Sequence, residues 1–79
     1  GERHTEEMRL LGLTIAFYRR ARGLTQSELA EAVQISRTHM SNIEAPNTKT
    51  SISLNLLFDI AEALDIPVKE LFDFQGRSL

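Results

Sequence analysis

Residues 25–44 read TQSELAEAVQISRTHMSNIE, and this stretch decides the fold. Thr25-Gln26-Ser27-Glu28 is a capping box. The Thr25 hydroxyl accepts from the Glu28 amide, and the Glu28 side chain reaches back to the Thr25 amide. A helix therefore starts here, with Leu29, Ala30 and Val33 on its inner face, and lasts to about Val33. Gln34-Ile35-Ser36 is a break, and Ser36 suits the N-cap of a next helix from Arg37 to Glu44. Met40 and Ile43 face inward there, Ile35 plugs the corner, and Pro46 bars continuation. Two short helices joined by a three-residue corner are the core of a helix-turn-helix. Ala30 is small where the next helix must cross closely. The outward face of that helix carries Arg37, Thr38, Ser41 and Asn42, all polar. A helix dry on one side and polar on the other in this way is shaped to enter a DNA major groove.

Upstream, Leu11, Ile15 and Tyr18 recur at helical spacing and predict a first helix from about Thr5 to Arg22. Gly23 suits a left-handed C-cap, after which Leu24 folds back onto the helix end. Downstream, Ala45 to Ser51 is a polar loop. Ser53 caps a fourth helix with the inner stripe Leu54, Leu57, Ile60, Ala61 and Leu64. Pro67 fits the first turn of a short fifth helix ending near Phe72. No segment alternates as a strand does. The expectation is a compact, all-α, five-helix fold with a central helix-turn-helix. It forms one domain over residues 1–79, with a core from about 9 to 74 between short tails.

The 79 residues carry nine Lys or Arg and eleven Asp or Glu, a net charge of −2. Duplex-binding domains are often basic, because each neutralised phosphate releases counterions. The distribution softens the objection. Up to Lys49 there are seven basic and six acidic residues; from Thr50 there are two basic and five acidic. The acid is concentrated in the C-terminal third, which should face away from DNA. No apolar run approaches the roughly 20 residues that cross a bilayer. With no cysteine, disulfides and thiolate metal sites are unavailable, and a reducing cytoplasm fits. His4 and His39 are far apart, so no metal site is expected. Nothing suggests a nucleophile, paired catalytic carboxylates or a phosphate-binding glycine loop. Neither an enzyme nor a cofactor is expected.

The chain resembles the Cro/cI-type (XRE-like) family of helix-turn-helix regulators. The resemblance rests on Leu11-Gly12, Ile15, Arg19, Arg22-Gly23-Leu24-Thr25-Gln26, Glu28-Leu29-Ala30, Ile35-Ser36, Met40-Ser41 and Ile43-Glu44. It continues through Leu57 and Ile60-Ala61-Glu62-Ala63-Leu64 to Leu71-Phe72. It implies a lambda-repressor-like fold and a sequence-specific transcriptional regulator of double-stranded DNA. It places Arg37, Thr38, Ser41 and Asn42 on bases. Arg37 has the chemistry for a guanine edge, Asn42 for an adenine edge and Thr38 for a thymine methyl. Gln26, Ser27, Ser36, Asn47 and Lys49 are the implied backbone contacts, and Arg19 with Glu44 matches a structural ion pair of the family. Two positions depart from the pattern. Gln34 stands where the family's corner usually has glycine, and Ala45-Pro46 replaces the usual Arg/Asn-Gly after the third helix.

Leu13, Phe17, Leu56, Phe58, Phe74 and Leu79 are apolar beyond the minimal core pattern. Some enlarge a small core. Others fit a homodimer patch in the region from the fourth to the fifth helix, with Leu56, Phe58, Phe72 and Phe74 as candidates. A dimer would read two half-sites about one DNA turn apart. The alternatives within the resemblance are an antitoxin-like module with a protein partner and a restriction-modification controller protein.

Overall fold

A computed structural model describes residues 4–45 and 50–74. Among the described residues four α-helices are followed by one 3₁₀ helix: α1 (Thr5–Ala21), α2 (Gln26–Ala32), α3 (Arg37–Glu44), α4 (Leu54–Leu64) and the 3₁₀ segment Val68–Phe72. The segment after Pro67 is therefore not a fifth α-helix. Pro67 stands just outside it in extended conformation, and the turn closes through Glu70 N–H to the Pro67 carbonyl at 3.0 Å. Five residues are too few for an α-helical ladder to become self-supporting, and the tighter i→i+3 turn suffices.

Local signals set the helix starts. The Thr25–Glu28 box closes in both directions, at 3.0 Å and 2.8 Å. The Ser36 hydroxyl accepts from the His39 amide at 3.0 Å, and that of Ser53 from the Leu56 amide at 3.1 Å. The ends of α1, α2 and α4 share one device. A residue with positive φ follows each helix: Gly23 (73°), Gln34 (63°) and Asp65 (58°). In each case an apolar residue comes next, Leu24, Ile35 or Ile66. Its amide donates five residues back, to Arg19, Ala30 or Ala61, at 3.0–3.1 Å. Its side chain packs partly buried against the core. This is the Schellman arrangement, in which the reversal and a hydrophobic contact come together.

All five elements contribute to one core. Ile15 from α1, Leu29 from α2, Met40 from α3, Ile60 and Leu64 from α4, and Leu71 from the 3₁₀ helix are completely buried. Leu56 joins this cluster, and Phe74 packs partly buried against it. α2 and α3 pack on each other and α1 crosses α3, so α3 is held from two sides. The α1–α3 crossing is close enough that Gly12 is required. A β-carbon there would collide with the Ile43 carbonyl oxygen and stand 3.3 Å from its carbon. No described helix is long and apolar enough to cross a membrane.

Candidate nucleic-acid interface

The orientation of α3 follows from which of its residues are dry. Met40, Ile43 and Glu44 are buried, whereas Arg37, Thr38 and Asn42 are exposed and Ser41 and His39 are half-buried. The four candidate base-reading residues thus share the first and middle turns of one helix, on the side away from the core. The corner that sets the angle of α3 is the left-handed Gln34, with Ile35 tucked behind it. Left-handed backbone is uncommon for a side chain such as glutamine.

The candidate backbone contacts sit beside this helix. Ser27 is exposed on the first turn of α2, and Ser36 is exposed with its hydroxyl oxygen engaged as the α3 cap. That hydroxyl accepts from His39 and keeps its own hydrogen for a second partner. Gln26 is half-buried and donates from Nε2 to Glu44 Oε1 at 2.9 Å. Asn47 and Lys49 lie outside the described residues.

Beneath the face lies a polar joint. Arg19 donates from Nε to Glu44 Oε2 at 2.8 Å and from Nη2 to Oε1 at 3.0 Å, a bidentate pair with both residues under 10% exposed. Its Nη1 donates to the Leu24 carbonyl at 2.7 Å. The ion pair therefore links α1, the turn before α2 and the last residue of α3. Bidentate guanidinium–carboxylate geometry fixes orientation as well as distance.

Several contributions lie beyond what the sequence pattern indicated. Arg22 donates from Nε to the Leu64 carbonyl at 2.7 Å and from Nη2 to the Asp65 carbonyl at 3.0 Å. It satisfies carbonyls at the C-terminus of α4, where a positive charge is also favoured. Tyr18 donates from its hydroxyl to Glu70 at 3.0 Å, tying α1 to the 3₁₀ helix. Gly12 carried the one available signal, since a glycine inside a helical pattern points to close approach. Of the candidate interface residues, Phe58 and Phe72 are about half exposed. Leu56, at 9% exposed, is committed to the monomer's core and offers a partner little surface.

A short two-helix motif with an apolar inner seam and a polar outer helix defines a helix-turn-helix domain. The helix-turn-helix family model matches residues 15–71, most of the chain. The protein belongs to this Cro/cI-type, XRE-like helix-turn-helix family. It is similar to the HTH-type transcriptional regulator SinR of Bacillus subtilis, at 34% identity over 64 residues. SinR of Bacillus licheniformis is 33% identical over the same length. Both alignments cover 81% of this chain but 57% of SinR, so the chain spans little more than half of these curated relatives. Among solved structures, the restriction-modification controller protein C.AhdI from Aeromonas hydrophila superposes with a TM-score of 0.81 at 30% identity, covering 89% of this chain and 99% of that one. SinR in complex with DNA gives 0.72 at 35% identity, covering 80% and 98%. The clp gene regulator ClgR from C. glutamicum gives 0.77 at 28% identity, covering 91% of each chain.

Proposed function

We propose that this protein is a sequence-specific, duplex-DNA-binding transcriptional regulator that acts as a homodimer in the cytoplasm and places α3 in the major groove. The observation that carries the proposal is the division of α3. Met40, Ile43 and Glu44 anchor it, and Arg37, Thr38, Ser41 and Asn42 are left on the far side. The family membership and the likeness to SinR in complex with DNA support it. Arg37 and Asn42 are the base readers of greatest discriminating power, each worth roughly 1–3 kcal/mol against a wrong base. Thr38 and Ser41 add shorter contacts. Gln26, Ser27, Ser36, Asn47 and Lys49 meet the backbone and set register without reading sequence.

The acidic C-terminal third is compatible with this arrangement, because α3 lies in the half of the chain with the small basic excess. Exposed Phe58 and Phe72 supply the apolar groups for self-association. The likeness to C.AhdI over 99% of its length favours a controller role as one form of the same function. No catalytic step is part of the proposal.

Selection from a random duplex pool at two salt concentrations is the test. The expected product is a short two-fold-symmetric consensus with a steep salt dependence. Arg37→Ala and Asn42→Ala should each relax preference at one base position per half-site. Sedimentation at ~100 µM should show dimer, since self-association is concentration-dependent. No enrichment even at low salt would exclude DNA binding, and a strict monomer would exclude the dimer.

A further inference from the structure

We infer that Glu44 is a positioning residue for DNA backbone contact, holding the Gln26 amide in place before DNA arrives; this rests on the DNA-binding reading above. The Glu44 carboxylate accepts three hydrogen bonds while only 6% exposed: two from Arg19 and one from Gln26 Nε2 at 2.9 Å. A carboxylate bonded in this way has no hydrogen to donate. The Gln26 nitrogen, and not its oxygen, must therefore face it, which fixes the orientation of the amide. One Nε2 hydrogen is spent on Glu44 and one remains. That remaining donor is what a phosphate oxygen can use.

The geometry also places the charge where it does least harm. A bare carboxylate next to a phosphate would repel it, but Arg19 closes both oxygens of Glu44 in bidentate fashion. Arg19 also holds the Leu24 carbonyl at 2.7 Å, one residue before the Thr25 cap of α2. The start of α2 and the end of α3 are thus referenced to the same carboxylate. The first meets backbone and the second belongs to the base-reading helix. A glutamine fixed in its binding rotamer loses less freedom on association than one swinging in solvent.

The test is a double-mutant cycle of Gln26→Ala and Glu44→Gln, read by anisotropy on the selected duplex, with thermal melts to set a temperature at which each variant is folded. Gln26→Ala should weaken binding about tenfold in the wild-type background, as for loss of a hydrogen bond to a charged group. In the Glu44→Gln background it should weaken binding about threefold or less. The salt slope should be unchanged by Gln26→Ala, because a neutral amide releases no counterion. Equal losses in both backgrounds overturn the inference alone. Absence of wild-type binding to any duplex overturns the DNA-binding reading and this inference with it. If Glu44→Gln fails to fold, the wild type still decides. Side-chain ¹⁵N relaxation of the free protein should show the Gln26 amide ordered, with exposed Gln34 as the internal mobile reference. A Gln26 amide as mobile as that of Gln34 overturns the inference.

Discussion

Where α1 crosses α3, Gly12 lets two backbones approach and the Arg19–Glu44 pair closes the joint beneath. Where α4 meets the 3₁₀ helix, the joint is made of apolar side chains such as Leu64 and Leu71. Phe58 and Phe72 are left half exposed outside it, and Leu54 more than half; the helical pattern puts Leu54 on the inner stripe, but Leu56 takes its place there. The first region has narrow tolerances and directional bonds. Between α4 and the 3₁₀ helix the contact is apolar, non-directional and forgiving, and the directional bonds there, from Arg22 and Tyr18, run back to α1. The contrast matches what each region carries. In the proposed function α3 presents four side chains at a fixed angle, which its over-determined support suits. The α4 end carries none of the proposed base readers and leaves apolar surface exposed at Phe58 and Phe72.

The sharpest way to break this contrast is to remove Glu44. Glu44→Ala leaves Arg19 buried without its carboxylate, which should destabilise by roughly 3–5 kcal/mol. That is much of the stability of a domain this size, at about 0.05–0.15 kcal/mol per residue. Urea unfolding followed by circular dichroism gives the value directly. A loss below about 1 kcal/mol would mean that water or another acceptor replaces the carboxylate, and that the joint is not directional.

Gly12→Ala comes next. The added methyl meets the Ile43 carbonyl, and backbone cannot step aside as a side chain tip can. Overpacking of this kind should destabilise by about 3 kcal/mol and shift α3, so DNA affinity falls as well. Gly23→Ala is the matched control. Its φ of +73° is strained for alanine, but nothing lies within 4 Å of the added carbon. The loss there should be near 1 kcal/mol, without change in affinity. Equal losses at the two glycines would show that space at the α1–α3 crossing is not limiting.

At the forgiving end, Phe58→Gln and Phe72→Gln each remove a half-exposed ring. Each should change stability by about 1 kcal/mol or less, in keeping with the half that is buried. Their larger effect should be on the dimer constant, measured by sedimentation equilibrium. If dimerisation is untouched while stability falls by several kcal/mol, the rings belong to the core and the division between the two regions fails.

How much of this was legible beforehand depends on range along the chain. The caps at Thr25, Ser36 and Ser53 and the turn at Gly23 involve residues within a few positions of one another, and local pattern found them. The outward face of α3 was equally legible, because helical periodicity settles it once Met40 and Ile43 are inside. The Arg19–Glu44 pair was reached through family resemblance. The contacts of Arg22 with Leu64 and Asp65, 42 and 43 residues away, and of Tyr18 with Glu70, 52 residues away, carry no local signature. The left-handed end at Asp65 was missed because aspartate is less diagnostic of that conformation than glycine. The helix after Pro67 ends at Phe72 as the pattern indicates, but its 3₁₀ character is not legible, because the apolar residues flanking Pro67 read the same for either helical turn.

Gln34 gives the smallest expected effect and the only gain. It makes the same reversal as Gly23, with φ of 63° against 73°, but pays for it in steric strain. A left-handed residue with a β-carbon is disfavoured by about 1–2 kcal/mol. Glycine would relieve that strain while losing roughly 0.5–1 kcal/mol more conformational entropy on folding. Gln34→Gly should therefore stabilise by about 0.5–1 kcal/mol, seen as a higher melting temperature. Ile35 donates to Ala30 through its own amide, a bond the substitution leaves intact, so the angle of α3 and the DNA affinity should not change. A stabilised protein with unchanged affinity would place the strain at the corner and nowhere else. A stabilised protein that binds DNA more weakly would mean that the strained corner holds α3 at its working angle, and that the directional region extends from the Arg19–Glu44 joint into the turn itself.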